Sequence, residues 1–137
     1  MTTILVAGPD PALIEGVVQT LVGAGHRVVS GKDIPEVLES LGDAKPLIAL
    51  VECNELMTRP GQLHARLAHG GALLAFHCDE DDGPFLPFSV KRTTLAQLRL
   101  PLERQRLLAL VKFVENRAHA AGRDADAESS SGELRPD

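Results

Sequence analysis

Short runs of aliphatic and β-branched residues alternate along the chain with segments in which apolar residues recur at helical spacing. This alternation predicts strands joined by helices, which is typical of a parallel sheet with both faces covered. The apolar runs have few charged residues, so the central strands are expected to be buried on both sides. The five predicted strands cover residues 3–7, 26–30, 47–51, 72–76 and 95–100.

Proline and glycine mark the ends of the predicted helices. Pro35 and Pro60 stand where the first turn of a helix tolerates proline, and glycines follow the helical segments. We therefore expect a second helix near Pro35 and a third helix that begins at Pro60, with Leu63 and Leu67 on its buried side. A last helix with a broad apolar stripe follows Pro101.

The segment between the fourth and fifth predicted strands departs from the repeat. It contains an acidic run, two prolines and a glycine, which leave no room for a long helix. We expect a reduced fourth helix, and hence sheet surface that needs other cover. The apolar residues of this segment must either fold over that surface or contact a partner. They are Phe85, Leu86, Phe88 and Val90.

Composition divides the chain into two parts. Residues 1–118 have the strand and helix patterns of one domain, whereas residues 119–137 are mainly Ala, Gly, Ser, Asp and Glu. The second part has little to bury, so we predict a disordered C-terminal tail.

Charge and hydropathy limit the classes of partner. The formal net charge is −5, whereas nucleic-acid modules usually carry a basic face, so no nucleic-acid partner is expected. No apolar run approaches the ~20 residues that span a bilayer, so we expect a cytoplasmic chain without membrane contact. The acidic run at residues 79–82 is interpreted as a solvated loop, and His64 and His69 have no further ligand at zinc spacing. Neither a metal nor another cofactor is expected.

Cys53 and Arg59 have the spacing of the phosphate-binding loop of tyrosine phosphatases. That loop needs glycines and exposed N–H groups around the anion. The five residues between Cys53 and Arg59 include no glycine, and Glu52 and Glu55 would repel a phosphate. We therefore do not predict a phosphatase.

The order of five β/α units, the opening ILVAGPDPALI and the third strand LIALVE resemble the receiver domain of response regulators over residues 3–118. The resemblance implies a flavodoxin-like α/β fold: a parallel five-stranded sheet of order 2-1-3-4-5 with helices on both faces. It also implies a phosphorylation site made of an acid pair, an acceptor Asp, a hydroxyl residue and a Lys before proline, which together hold Mg²⁺ and the phosphoryl group.

This chain departs from that pattern at every reactive position. Gly8 and Pro9 occupy the positions of the acid pair, and Asp10 next to them is the remnant of the acid pocket. Glu52 stands at the phosphoacceptor position. The switch positions are occupied by His77, in place of the hydroxyl residue, and by Leu100, in place of the lysine. Because the chemistry depends on positioned charge, we predict no phosphoryl transfer.

The predicted function is therefore a pseudo-receiver, a non-enzymatic two-component signalling module that works through protein–protein interaction. The resemblance implies that its last strand and last helix contact a protein partner or a second copy of the chain in a dimer. We name the residues that this implies the partner face: Arg99, Leu102, Arg106, Leu110 and Phe113.

Two alternatives stay open at this point. One is a small-ligand or nucleotide-binding protein with its site near Asp10, Glu52 and His77, although GPDPALIEG fits neither the dinucleotide nor the Walker pattern. The other is a conventional phosphoacceptor response regulator. A hydrogen-bonded pair of Glu52 and His77 on neighbouring strands is a further hypothesis.

Overall fold

A computed structural model of the chain describes residues 2–58, 63–78 and 86–131. In chain order, strands and helices alternate as the sequence predicts. The strands are β1 Thr3–Ala7, β2 Arg27–Gly31, β3 Ile48–Glu52, β4 Ala72–Cys78 and β5 Ala96–Leu100. The α-helices are α1 Pro11–Gly23, α2 Ile34–Leu41, α3 Cys53–Thr58, α4 Phe88–Lys91 and α5 Arg104–Ser131, and a 3₁₀ turn spans His64–Arg66.

The five strands form one parallel sheet of order β2-β1-β3-β4-β5. This is the predicted order, and it places β1, β3 and β4 in the middle of the sheet. The central strands are nearly free of polar side chains because helices cover both of their faces. The carboxyl ends of β1 and β3 meet at the rim where the chain reverses its direction of winding.

Side chains alternate between two apolar clusters, one on each face of the sheet, because successive residues of a strand point to opposite sides. The first cluster packs α1 and α5 against the sheet and includes Ile4, Val6, Leu50, Leu74, Phe76, Leu98, Leu100, Val17, Leu21, Leu107 and Val111. The second packs α2, α3 and α4 against the other face and includes Leu5, Ala49, Val51, Leu73, Ala75, Ile34, Val37, Leu56 and Val90.

The third helix differs from its prediction. It begins at Cys53, directly after β3, because Glu52 Oε1 accepts a hydrogen bond from the N–H of Glu55 at 3.0 Å and so caps the first turn. Leu63 precedes the 3₁₀ turn and Leu67 follows it, so they do not share a helical face as predicted. The expected start at Pro60 lies outside the described residues.

The fourth helix has four residues, as the reduced fourth helix of the prediction requires. Leu86 and Val90 are buried against the sheet, whereas the side chain of Phe88 is 76% exposed. Part of the segment has therefore folded over the sheet surface, and part faces solvent. Phe85 lies outside the described residues, as do residues 79–82, the predicted solvated loop.

The last helix is longer than predicted. The domain is predicted to end at residue 118, with disorder from residue 119. α5 continues to Ser131, while the domain boundary itself stays a prediction. The continuation is rich in alanine, the residue with the highest helix propensity, and it extends a helix that is already nucleated and packed. Residues 132–137 lie outside the described residues. In the part of the chain that is described, no helix is long and apolar enough to cross a membrane.

Candidate functional site

The carboxyl ends of β1, β3 and β4 bring the predicted pocket residues to one rim of the sheet. Asp10, Glu52 and His77 all line a small cavity of about 130 Å³ there, together with Gly8 and Pro9. The structure therefore gathers these sequence-predicted positions in one place. What each side chain does there differs from residue to residue.

The position of the first missing acid is crowded by neighbouring side chains. A Cβ on Gly8 would lie 3.0 Å from Cζ of Phe76, 3.1 Å from Cδ1 of Ile14 and 3.2 Å from Cβ of Glu52. Phe76 is 1% exposed and pairs with Glu52 in the register of β3 and β4. A Cβ at residue 8 would thus be crowded by the aromatic ring, by Ile14 and by Glu52.

Asp10, the acid-pocket remnant, caps the first turn of α1. Its Oδ1 accepts hydrogen bonds from the N–H groups of Ala12 at 3.1 Å and Leu13 at 3.3 Å. Pro11 at the first helical position completes this start, because proline lacks the N–H that would otherwise need a partner there. Asp10 therefore has a structural role that accounts for its presence.

Glu52, at the phosphoacceptor position, is half-buried and is the N-cap of α3 through its bond to the N–H of Glu55. Glu55 in turn accepts a hydrogen bond through Oε2 from the N–H of Ile34 at 2.9 Å, at the start of α2. The two carboxylates thus link the end of β3 to the starts of two helices. One oxygen of Glu52 is committed to this link.

His77 does not pair with Glu52. Phe76 is the residue in register with Glu52, and the next side chain along β4 points to the other face of the sheet. There His77 Nδ1 lies 3.3 Å from Nε2 of Gln97 on β5. His77 is 8% exposed, and its Nε2 has no hydrogen-bond partner among the residues that the structure describes.

Leu100, at the lysine position, is fully buried in the cluster beneath α1 and α5. It precedes Pro101 through a cis peptide bond. Its side chain is hydrocarbon and belongs to the same cluster as Leu98 and Leu107. This position is therefore part of the hydrophobic core.

The residues at the rim do not fit the magnesium ion that the fold implies. Gly8 and Pro9 offer no side-chain oxygen, Asp10 caps α1, and Glu52 caps α3. Mg²⁺ requires near-octahedral oxygen ligation, usually with one or two carboxylates that are available to it. Across residues 2–58, 63–78 and 86–131, no group of three or more His, Cys, Asp or Glu side chains could hold a metal ion.

Cys53 lies beside Glu52 and is buried. Burial, and then the neighbouring Glu52 carboxylate, raise the pKa of the Cys53 thiol to about 12. A phosphate-binding loop lowers the pKa of its cysteine instead. The rejection of a phosphatase thus gains a physical argument, while Arg59 lies outside the described residues.

The partner face surrounds β5, an edge strand of the sheet. Leu102 and Phe113 are 67% and 52% exposed, which is high for large apolar side chains. Leu110 and Arg99 are half-buried, and Arg106 is exposed. The predicted residues therefore reach the surface, and four of them lie on or next to α5.

Three residues that contact the pocket or the partner face were not predicted from the sequence. Phe76 fills the pocket, Gln97 is the partner of His77, and Arg117 lies over the ring of Phe113 with its Cζ 5.6 Å from the ring centroid. Pairing the ends of β3 and β4 in parallel register would have placed Phe76 beside Glu52. Arg117 follows Phe113 by four residues, a spacing that puts two side chains on one helical face.

No protein-family model matches the chain, and no curated protein matches it. Solved structures do match. NtrX from Brucella abortus, in complex with ADP, has a TM-score of 0.72 and 14% identity, covering 96% of this chain and 30% of that one. A CheY-like response regulator receiver domain from Methylobacillus flagellatus has a TM-score of 0.68 and 13% identity, covering 83% and 98%. The pseudo-receiver domain of the CikA protein has a TM-score of 0.63 and 20% identity, covering 83% and 97%.

This chain thus spans 30% of the length of the NtrX chain and nearly all of the two single receiver domains. At such identities the likeness is one of fold. It agrees with the strand order, the parallel pairing and the helices on both faces of the sheet. The chain has the fold of response-regulator receiver domains.

Proposed function

We propose that this chain is a pseudo-receiver: a signalling module that accepts no phosphoryl group, catalyses no reaction and acts by contacting another protein. The observation that carries the proposal is the ring of Phe76, which fills the space beside Gly8 and Glu52. Receiver phosphorylation works through a bound metal and positioned charges. Here the Cβ position of Gly8 is crowded by apolar side chains, and a buried leucine stands at the lysine position.

The other reactive positions support the same proposal. Asp10 and Glu52 cap helices, and Leu100 belongs to the core. The two carboxylates already accept helix N–H groups, and a lysine at residue 100 would place a charge in the core. The exposed apolar side chains of Leu102 and Phe113 give the module a surface for a protein partner.

The proposal is tested by incubating the protein with acetyl phosphate and Mg²⁺ and measuring its intact mass. We expect no added phosphoryl group, under conditions that phosphorylate an active receiver domain in a parallel sample. A Glu52→Gln variant serves as the matched control. A phosphoryl adduct in the wild type that Glu52→Gln removes would overturn the proposal.

A second test concerns the partner face. Phe113→Glu is expected to weaken binding of a partner protein, whereas Val22→Glu is not. Val22 on α1 is 53% exposed, almost the same as Phe113, but it lies outside the partner face. Equal effects of the two substitutions would count against contact through this face.

A small-ligand function is the second candidate, and one cavity favours it. A cavity of about 440 Å³ lies between α1 and the start of α5, within the size range of ligand pockets. Leu13, Val17 and Leu107 line its apolar part, and Asp10 and Arg104 contribute charge. A thermal-shift screen with nucleotides and Mg²⁺ tests it, because a ligand at 100 times its Kd adds about 2.7 kcal/mol of stability.

A further inference from the structure

Charge is distributed unevenly along this chain. Residues 86–117 contain seven lysine and arginine residues and only two glutamates, Glu103 and Glu115. The rest of the chain contains seven basic and seventeen acidic residues. Since residues 86–117 form α4, β5 and the packed part of α5, an acidic protein presents one basic side.

Apolar side chains lie within this basic region, among them the exposed Phe113 and the half-buried Leu110. Arg106, Leu110, Phe113 and Arg117 recur at intervals of four, three and four residues, which places them in one stripe along α5. Eleven residues of α-helix span about 16 Å. The stripe thus has two arginines at its ends and two apolar side chains between them.

Each of the two arginines makes long, weak contacts within the chain that favour one orientation. Arg106 Nη1 donates to the C=O of Gln97 at 3.4 Å and lies 3.3 Å from Glu103 Oε2. Arg117 Nη2 donates to the C=O of Gly70 at 3.5 Å, and its guanidinium lies over the ring of Phe113. Preordered arginines lose less conformational entropy when they bind a carboxylate.

Backbone groups on the outer edge of β5, next to this stripe, already have hydrogen-bond partners within the chain. Arg99 donates its N–H to Glu103 Oε1 at 2.7 Å and accepts a hydrogen bond from the N–H of Glu103 at 2.7 Å. The C=O of Gln97 accepts from Arg106. A partner strand could not pair with β5 at these groups, so recognition has to occur through side chains on α5.

We propose that this surface docks an acidic amphipathic helix of a different protein, with apolar residues over Leu110 and Phe113 and carboxylates at Arg106 and Arg117. This inference rests on the proposed function, because it names the partner of the same face. Charge complementarity selects the acidic partner. A symmetric dimer through this face would set like charges opposite each other, which disfavours a second copy. The exposed apolar side chains favour a polypeptide over the phosphate backbone of a nucleic acid.

The test uses the full chain and a labelled synthetic helical peptide with a leucine stripe flanked by glutamates. A second peptide has glutamine in place of every glutamate. We expect the acidic peptide to bind more tightly by fluorescence anisotropy, with an affinity that falls as salt increases. Arg106→Glu combined with Arg117→Glu should weaken binding about tenfold or more. Lys45→Glu, at an exposed lysine outside the face, should leave the affinity within about twofold.

Arg106→Gln combined with Arg117→Gln gives a milder variant, should the charge reversal impair folding as judged by circular dichroism. Equal binding of the two peptides, or binding that both pairs of substitutions leave unchanged, overturns the inference. So does tighter binding of a single-stranded oligonucleotide or of phosphatidylserine-containing vesicles. A concentration-dependent dimer that Arg106→Glu abolishes in sedimentation also overturns it. Phosphorylation of Glu52 would overturn the proposed function and leave these peptide results unchanged.

Discussion

The ring of Phe76 on β4 stands 3.0 Å from the point where a Cβ on Gly8 would lie, so the two residues are matched across the end of the sheet. A Cβ at residue 8 would require the ring or its neighbours to shift by a few tenths of an ångström. The ring is 1% exposed, so it has little room to shift. Gly8 and Phe76 together therefore limit which side chains fit at this end of the sheet.

We predict that Gly8→Ala destabilises the protein by about 1–3 kcal/mol, the usual cost of adding a methyl group to a packed site. The measurement is urea unfolding followed by circular dichroism. Gly16→Ala is the matched control. A Cβ on Gly16 meets nothing within 4 Å, and Gly16 lies inside α1, so this change should stabilise by roughly 1 kcal/mol.

The Phe76 ring is the cause of that cost only if the two positions are coupled. In a double-mutant cycle, Phe76→Leu should therefore reduce the penalty of Gly8→Ala. If the penalties simply add, some other contact, such as Ile14, is responsible for the destabilisation.

A second prediction concerns the lysine position. Leu100→Lys should destabilise by about 3–5 kcal/mol, because it places an unpaired charge in the core. Burial should lower the pKa of the new lysine below its ordinary value of about 10.4. The unfolded chain then binds the extra proton, so the stability of this variant rises with pH towards that value.

Leu102→Lys makes the same chemical change two residues later, where the side chain is 67% exposed. It should alter the free energy of unfolding by about 0.5 kcal/mol or less. Similar losses for both variants in urea unfolding would show that Leu100 is not the buried core residue described above.

Asp10 gives a third prediction. Asp10→Ala should cost about 0.5–2 kcal/mol, because the N–H groups of Ala12 and Leu13 lose their acceptor. Asp10→Asn should cost much less, since asparagine is an equally good N-cap. A metal-binding role would give a different result: Mg²⁺ would then raise the Tm of the wild type and not that of Asp10→Asn.

The sequence was sufficient for the arrangement of the sheet. Aliphatic runs such as residues 47–51 identify strands because their positions have to be apolar on both faces. The start of α3 could not be read in the same way, because it depends on Glu52 bonding the N–H of Glu55. Proline at residue 60 was the stronger signal in the sequence, but α3 begins at Cys53, and residue 60 lies outside the described residues.

The sequence predicted where the site residues lie but not which hydrogen bonds they make. Asp10, Glu52 and His77 do share one rim, as the order of the strands requires. Their hydrogen-bond partners depend on the register of the strands and on the face of the sheet to which each side chain points. For this reason His77 lies beside Gln97 and not beside Glu52. Such pairings arise from tertiary structure.

The fourth prediction concerns the thiol of Cys53. With its pKa raised to about 12, Cys53 has almost no thiolate at neutral pH and is buried as well. In a Cys78→Ala background, which removes the other cysteine, native protein should react with a thiol reagent very slowly, and unfolded protein rapidly. Fast labelling of the native protein would contradict the burial of Cys53.

The raised pKa of Cys53 also makes the stability of the protein depend on pH. In the unfolded chain the thiol loses its proton near the ordinary value of 9.0, while the folded chain keeps it until about 12. The unfolded state is thus favoured progressively as the pH rises through this interval. Cys53→Ala should show a smaller loss of stability over the same interval in urea titrations at several pH values.

The capping bond of Glu52 also bears on how such a chain could evolve. Aspartate at residue 52 could still cap the first turn of α3, because it is a favourable N-cap residue. The crowded Cβ position of Gly8 and the buried position of Leu100 are the obstacles, since an acid at residue 8 and a lysine at residue 100 would each disturb packed side chains. Selection for folding would therefore oppose the return of reactive residues at these two positions.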